Sequence, residues 1–121
     1  MTTRHEPTIA SLERHLRAAL RDRVRSVRIV ASWKQAAHIE WEGDGEKVGD
    51  LWVEPFQRGI GWAVVHELTH YVMRHVYERQ GELEEPQTEG LATAVWKRIE
   101  DSPRRYWWWR KAVRDKLKGG L

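Results

Sequence analysis

The spacing of apolar residues predicts an α+β domain with an N-terminal helix, about three mostly antiparallel strands, and three further helices. Three observations carry this. Apolar side chains recur every three or four positions over residues 8–23, alternate over 24–54, and return to helical spacing from residue 58 onward. At 121 residues the chain has the size of one domain, residues 1–121, with one modest core. Eight tryptophans supply much of that core's area and offset a single phenylalanine and 32% charged residues. The apolar residues are periodic, so the low hydropathy is read as that of a soluble domain and not of disorder.

The first helix follows from Ile9, Leu12, Leu16, Ala19 and Leu20, with Thr8 after Pro7 placed to cap it. His15 stands beside Arg14 and near Arg17, far in sequence from the later histidines, and is not expected to be functional. From Val24 the period becomes two, and Val27, Ile29 and Ala31 define one apolar face. A second extended run, 36–41, sets Ala37, Ile39 and Trp41 against His38 and Glu40. Glu42-Gly43-Asp44-Gly45-Glu46 is a turn, and residues 47–54 form a third strand around Val48, Leu51, Trp52 and Val53.

Residues 58–79 predict a long helix whose start is loosened by Gly59 and Gly61 and which stops at Gly81. At 100° per residue, Val65, Leu68, Thr69, Val72 and Val76 gather on one side, and His66, His70, Met73 and Tyr77 on another. A short acidic connection, Gly81 to Glu85, leads to the next helix. Pro86 fits its first turn, Gln87 or Thr88 its start, and Leu91, Val95 and Ile99 its apolar stripe. After Asp101-Ser102-Pro103 a last helix is expected from Arg104 to Lys118, ended by Gly119-Gly120.

The chemistry concentrates in His66-Glu67-Leu68-Thr69-His70. Histidines four apart on a helix lie one turn apart on one face, so both imidazoles reach one divalent ion. Glu67 lies about 100° around from His66, placed to hold a water without being a ligand. His75 falls about 180° from His66 and is not expected to share the ion. A third ligand is then sought downstream, where Glu89 projects from the next helix and Glu82, Glu84 and Glu85 are rivals. Two histidines and a carboxylate leave a tetrahedral ion one open corner, the mark of a catalytic rather than a structural site. With no cysteine, thiolate ligation and disulfides are excluded.

His66-Glu67-Leu68-Thr69-His70, eighteen intervening residues and Glu89 resemble the HExxH and glutamate-helix motif of the gluzincin metallopeptidases. The Glu89-Gly90-Leu91-Ala92-Thr93-Ala94 run is similar to the small ImmA/IrrE-type peptidases and the minigluzincins, departing from the former's Ala-Asn at Gly90-Leu91. The resemblance spans about residues 25–100 and implies a zincin-like domain, with Zn2+ as cofactor on His66, His70 and Glu89 and with Glu67 as general base. The family spacing and a helical support favour Glu89 over its rivals. The resemblance also implies a peptide substrate added as a strand to the edge above the metal, either 36–41 or 47–54. For the oxyanion, Tyr77, Tyr71, Tyr106 and His38 are the candidate donors. Tyr106-Trp107-Trp108-Trp109 is expected either to close the core or, as in minigluzincins, to cover the cleft.

The expected function is therefore zinc-dependent hydrolysis of a peptide or protein by a cytoplasmic metallopeptidase, monomeric by default. Two alternatives come from other classes: a zinc-binding regulatory or protein-interaction module, and a small basic nucleic-acid-binding domain. Lysine and arginine gather in residues 14–28 and 104–118, giving a net charge of +3. Such runs are most often solvated helix faces, so nucleic acid is the least favoured partner. The N-terminal residues show no signal-peptide pattern, and no apolar run is long enough to span a bilayer.

Overall fold

The computed structural model describes residues 8–30, 38–41, 48–53, 59–77 and 84–117, with the side chains of residues 40, 41, 84 and 85 left aside. In chain order the elements are α1 (Ile9–Asp22), β1 (Val24–Ile29), β2 (His38–Trp41), β3 (Gly49–Val53), α2 (Gly59–His75), α3 (Glu84–Asp101) and α4 (Trp107–Lys116). The expected turn at residues 42–46 and the expected stops at Gly81 and Gly119-Gly120 lie outside the described residues.

Thr8 starts α1 from an extended backbone, its Oγ1 accepting the Ser11 N–H at 3.1 Å. Leu12, Leu16, Ala19 and Leu20 bury one stripe of this helix. At its far end the Lys116 ammonium donates to the carbonyls of Leu20, Arg21 and Val24, which places a cation on the negative pole of the helix. Burial pushes that ammonium below the ordinary lysine range.

The sheet order is β1-β3-β2. β1 runs parallel to β3, and β2 runs antiparallel to it. The sheet is thus mixed, which corrects the mostly antiparallel expectation. Alternation of apolar residues reports which face is buried and is blind to the direction of the neighbouring strand. β1 also carries a bulge: Val24 pairs with Gly49 and Ser26 with Asp50, leaving Arg25 as an extra residue. The bulge lets Val24 and Val27 share the buried face while Arg25 and Ser26 both reach Asp50 on the other. Arg25 donates to Asp50 through Nε at 3.1 Å and Nη2 at 2.6 Å, and Ser26 Oγ donates at 2.5 Å. The Arg25 guanidinium, with help from Ser26, holds the Asp50 carboxyl below its ordinary value.

One core joins the layers: Leu12, Leu16 and Leu20 from α1, Val27, Leu51 and Val53 from the sheet, Val64, Val65, Leu68 and Val72 from α2, and Ala92, Val95 and Ile99 from α3. Each of the valine, leucine and isoleucine side chains contributes about 1.5–3 kcal/mol by leaving water. The stripe of α3 is Thr88, Ala92, Val95 and Ile99, with Leu91 only partly buried. In α2 the two-sided wheel holds less well. Met73 and Tyr77 are buried, and Val76 is exposed just past the helix end.

The last helix begins at Trp107 and not at Arg104, because residues 103–106 form a turn in which Tyr106 N–H reaches Ser102 O at 3.1 Å. Tyr106 Oη donates to Glu13 at 2.9 Å, while Trp109 and Val113 enter the core. Leu117 then bridges Val27 and covers the outer edge of β1. α4 therefore packs against α1 and β1. Among the described residues no helix is long and apolar enough to cross a membrane.

Candidate functional site

α2 presents His66 and His70 one turn apart, and α3 crosses close beside it. A Cβ added at Gly61 would stand 2.8 Å from Cη2 of Trp96. Gly61 therefore leaves the space that the tip of the Trp96 indole occupies, a role beyond loosening the helix start; the positive φ of 86° belongs to Gly59. This close approach brings Glu89 Oε1 to 2.9 Å from His66 Nε2.

The His66–Glu89 contact has an unusual character. It lies within ion-pair range, yet His66 Nε2 is buried and has no hydrogen-bond partner. The ring nitrogen and the carboxylate oxygen face each other without the geometry of a hydrogen bond. Ligand atoms about 2.0–2.2 Å from one tetrahedral zinc stand about 3.3–3.6 Å apart, so this pair would have to part by about half an ångström to share a coordination sphere. The residues present thus fit a metal of this kind: imidazole and carboxylate donors, one of them a buried orphan.

The His66 ring is held from below by Trp62, stacked at 5.3 Å and 14°. His70 meets it edge-on at 4.8 Å between centroids and is itself buried. Glu67 Oε1 is 3.8 Å from His66 Nδ1. Among the described residues no three His, Asp or Glu side chains are already gathered around one point; the arrangement is the His66–Glu89 pair with His70 against the pair's imidazole. The side chains of the rivals Glu82, Glu84 and Glu85 lie outside the described residues.

Next to the pair, a cleft of about 260 Å³ is lined by His38 and Ile39 of β2 and by Glu67, His70, Tyr71, Arg74 and His75. Glu67 and His70 thus face the same open cleft. The expected oxyanion donors separate here. Tyr71 and His38 line the cleft, with His38 stacked on Trp52 at 6.1 Å and Tyr71 against His75 at 4.7 Å. Tyr77 is turned toward α1, its Oη 2.6 Å from Ser11 Oγ and its ring 5.6 Å from His15. Tyr106 is bound to Glu13, and its raised pKa, from burial and that carboxylate, keeps it a donor there. No residue of α4 lines this cleft: Trp109 enters the core and Trp108 packs against it, which is the core-closing alternative, while Trp107 stays exposed.

Two residues at the site escaped the sequence reading. Trp62 and Arg74 continue the four-residue ladder Trp62, His66, His70, Arg74 in both directions, and that spacing was the available signal. His75, on the far side of the helical wheel from His66, also lines the cleft.

The sheet resolves which strand is the edge. β3 is central and β2 is outermost, with no strand beyond it among the described residues, so 36–41 and not 47–54 is the edge run. The opposite edge, on β1, is covered by Leu117. Comparison with protein-family models, curated proteins and solved structures finds no match for this chain.

Proposed function

We propose that this domain is a zincin-like, gluzincin-type metallopeptidase in which His66, His70 and Glu89 hold Zn2+. The observation that carries the reading is the buried, unpartnered Nε2 of His66 facing the Glu89 carboxylate at 2.9 Å. A plain His–Glu ion pair is the competing account, and it offers no reason for a ring nitrogen left without a hydrogen bond. When bound, zinc would supply a Lewis acid that polarises a scissile carbonyl and acidifies a water at the open corner.

The chain's own residues do the rest. Glu67, on the cleft side of His66, takes a proton from the attacking water at its carboxylate oxygens and returns it to the leaving amine. Tyr71 Oη and the His38 ring, both on the cleft wall, donate to the developing oxyanion. The open edge of β2 receives the peptide through main-chain N–H and C=O groups, independent of its side chains. Trp62 holds the His66 ring in plane against displacement.

Elemental analysis of protein purified without added metal should find one equivalent of zinc, and a chelator should lower the melting temperature. Glu67→Gln should keep the metal and abolish cleavage of a mixed peptide library. Stoichiometric metal with no cleavage by the parent protein would favour a zinc-dependent binding module, and absence of metal with unchanged stability on chelation would end the reading.

A further inference from the structure

The two basic runs of the sequence, ninety residues apart, become one surface in the fold. α1 and α4 lie side by side: Arg17 and Arg21 from α1 and Trp108, Ala112, Asp115 and Lys116 from α4 line a common groove of about 310 Å³. The Arg17 guanidinium sits over the Trp108 ring at 4.5 Å. Beyond the groove, Trp107, Arg110 and Arg114 share the outer stripe of α4, and Trp107 is 60% exposed. An indole left that far in water, between arginines, is an expensive way to finish a helix surface.

We propose that this face binds single-stranded nucleic acid, with Trp107 as a base-stacking platform and Arg14, Arg17, Arg110 and Arg114 tracking the phosphates. Charge complementarity selects the partner. The acids of α1 and α4 nearest the groove are already paired, Asp22 with Arg21 at 2.8 Å and Asp115 with Lys111 at 2.5 Å, so the exposed arginines dominate the field. The cations are mostly arginine, whose planar guanidinium matches phosphate and stacks on rings, as Arg17 on Trp108 already does. A bilayer is a poorer fit, because the apolar face of α4, Trp109 and Val113, is spent in the core and leaves one exposed indole instead of an apolar stripe. An exposed aromatic among phosphate-binding side chains is the arrangement that holds a single strand without reading its sequence. The surface lies away from the candidate metal centre and does not depend on it.

The test is fluorescence anisotropy of a labelled twelve-residue oligothymidylate titrated with the full-length protein. Binding should weaken about 50-fold between 50 and 200 mM salt, as about four phosphate contacts on a single strand require. Trp107→Ala should weaken it at least fivefold, the lower bound for one lost stack, with an unchanged melting temperature. Glu67→Gln should bind like the parent. Any of the following would overturn the proposal: no binding at 50 mM salt, unaltered affinity in Trp107→Ala, equal or tighter binding of a duplex, or equal binding of polyglutamate or of anionic phospholipid vesicles.

Discussion

Replacing Gly61 with alanine sets two effects of known size against each other. In an ordinary helix interior the change stabilises by about 1 kcal/mol, because alanine loses less backbone freedom. Here the new Cβ would stand 2.8 Å from Cη2 and 3.1 Å from Cζ3 of Trp96. Carbon atoms prefer about 3.5–4.0 Å, so either the indole or the whole of α3 must retreat by about 0.7 Å. Overpacking of this kind costs about 1–3 kcal/mol, which outweighs the propensity gain and predicts a net loss of about 0–2 kcal/mol. If α3 moves as a body it carries Glu89 away from His66, whose 2.9 Å contact would open to about 3.6 Å by the same 0.7 Å retreat. Urea denaturation followed by circular dichroism measures the stability, and chelator competition measures metal retention. In a Trp96→Leu background the obstacle is gone, and the same substitution should recover its stabilising sign. Gly61→Ala raising stability by about 1 kcal/mol in the parent protein would refute the claim that the Trp96 indole needs the space left at this glycine.

Asp50 gives a pH dependence. Its carboxyl is held below the ordinary range by Arg25 and Ser26, so its contribution is fully present above its unfolded value of about 3.9 and is lost as pH falls through the lower folded value. Asp50→Asn should cost about 1–2 kcal/mol at neutral pH, discounted because Arg25 is half exposed. The gap between the two proteins in denaturant titrations should close below pH 4; a constant gap would contradict the assignment. Removing residues 102–121 withdraws Trp109, worth about 3–5 kcal/mol if truncated alone, together with Val113 and the Lys116 cap of α1. That is comparable to the whole stability of a small domain, so the shortened chain should show no cooperative melt. A folded and more active product would favour a segment that covers the cleft.

Local order was largely legible. The cap at Thr8, the stripe of α1 and the existence of α2 and α3 all follow from neighbours within one or two turns, whose geometry the chain itself sets. The bulge at Arg25 was hidden, because its reason is Asp50 on a strand that joins from the far side of a hairpin. Tyr77 was misplaced for the same kind of reason. Wheel position put it with the histidines, but the helix stops at His75, and Ser11, sixty-six residues earlier, claims the hydroxyl.

Residue chemistry and spacing by themselves determined which groups could act together along one helix: His66, Glu67 and His70 are near neighbours on any α-helix, whatever surrounds it. Only the tertiary structure decided which carboxylate meets His66, which strand is the open edge, and that Trp109 of α4 enters the core while Trp107 stays outside it. Those outcomes depend on how helices and strands distant in sequence come to share one buried volume, and the competition for that volume is settled by packing among all of them at once.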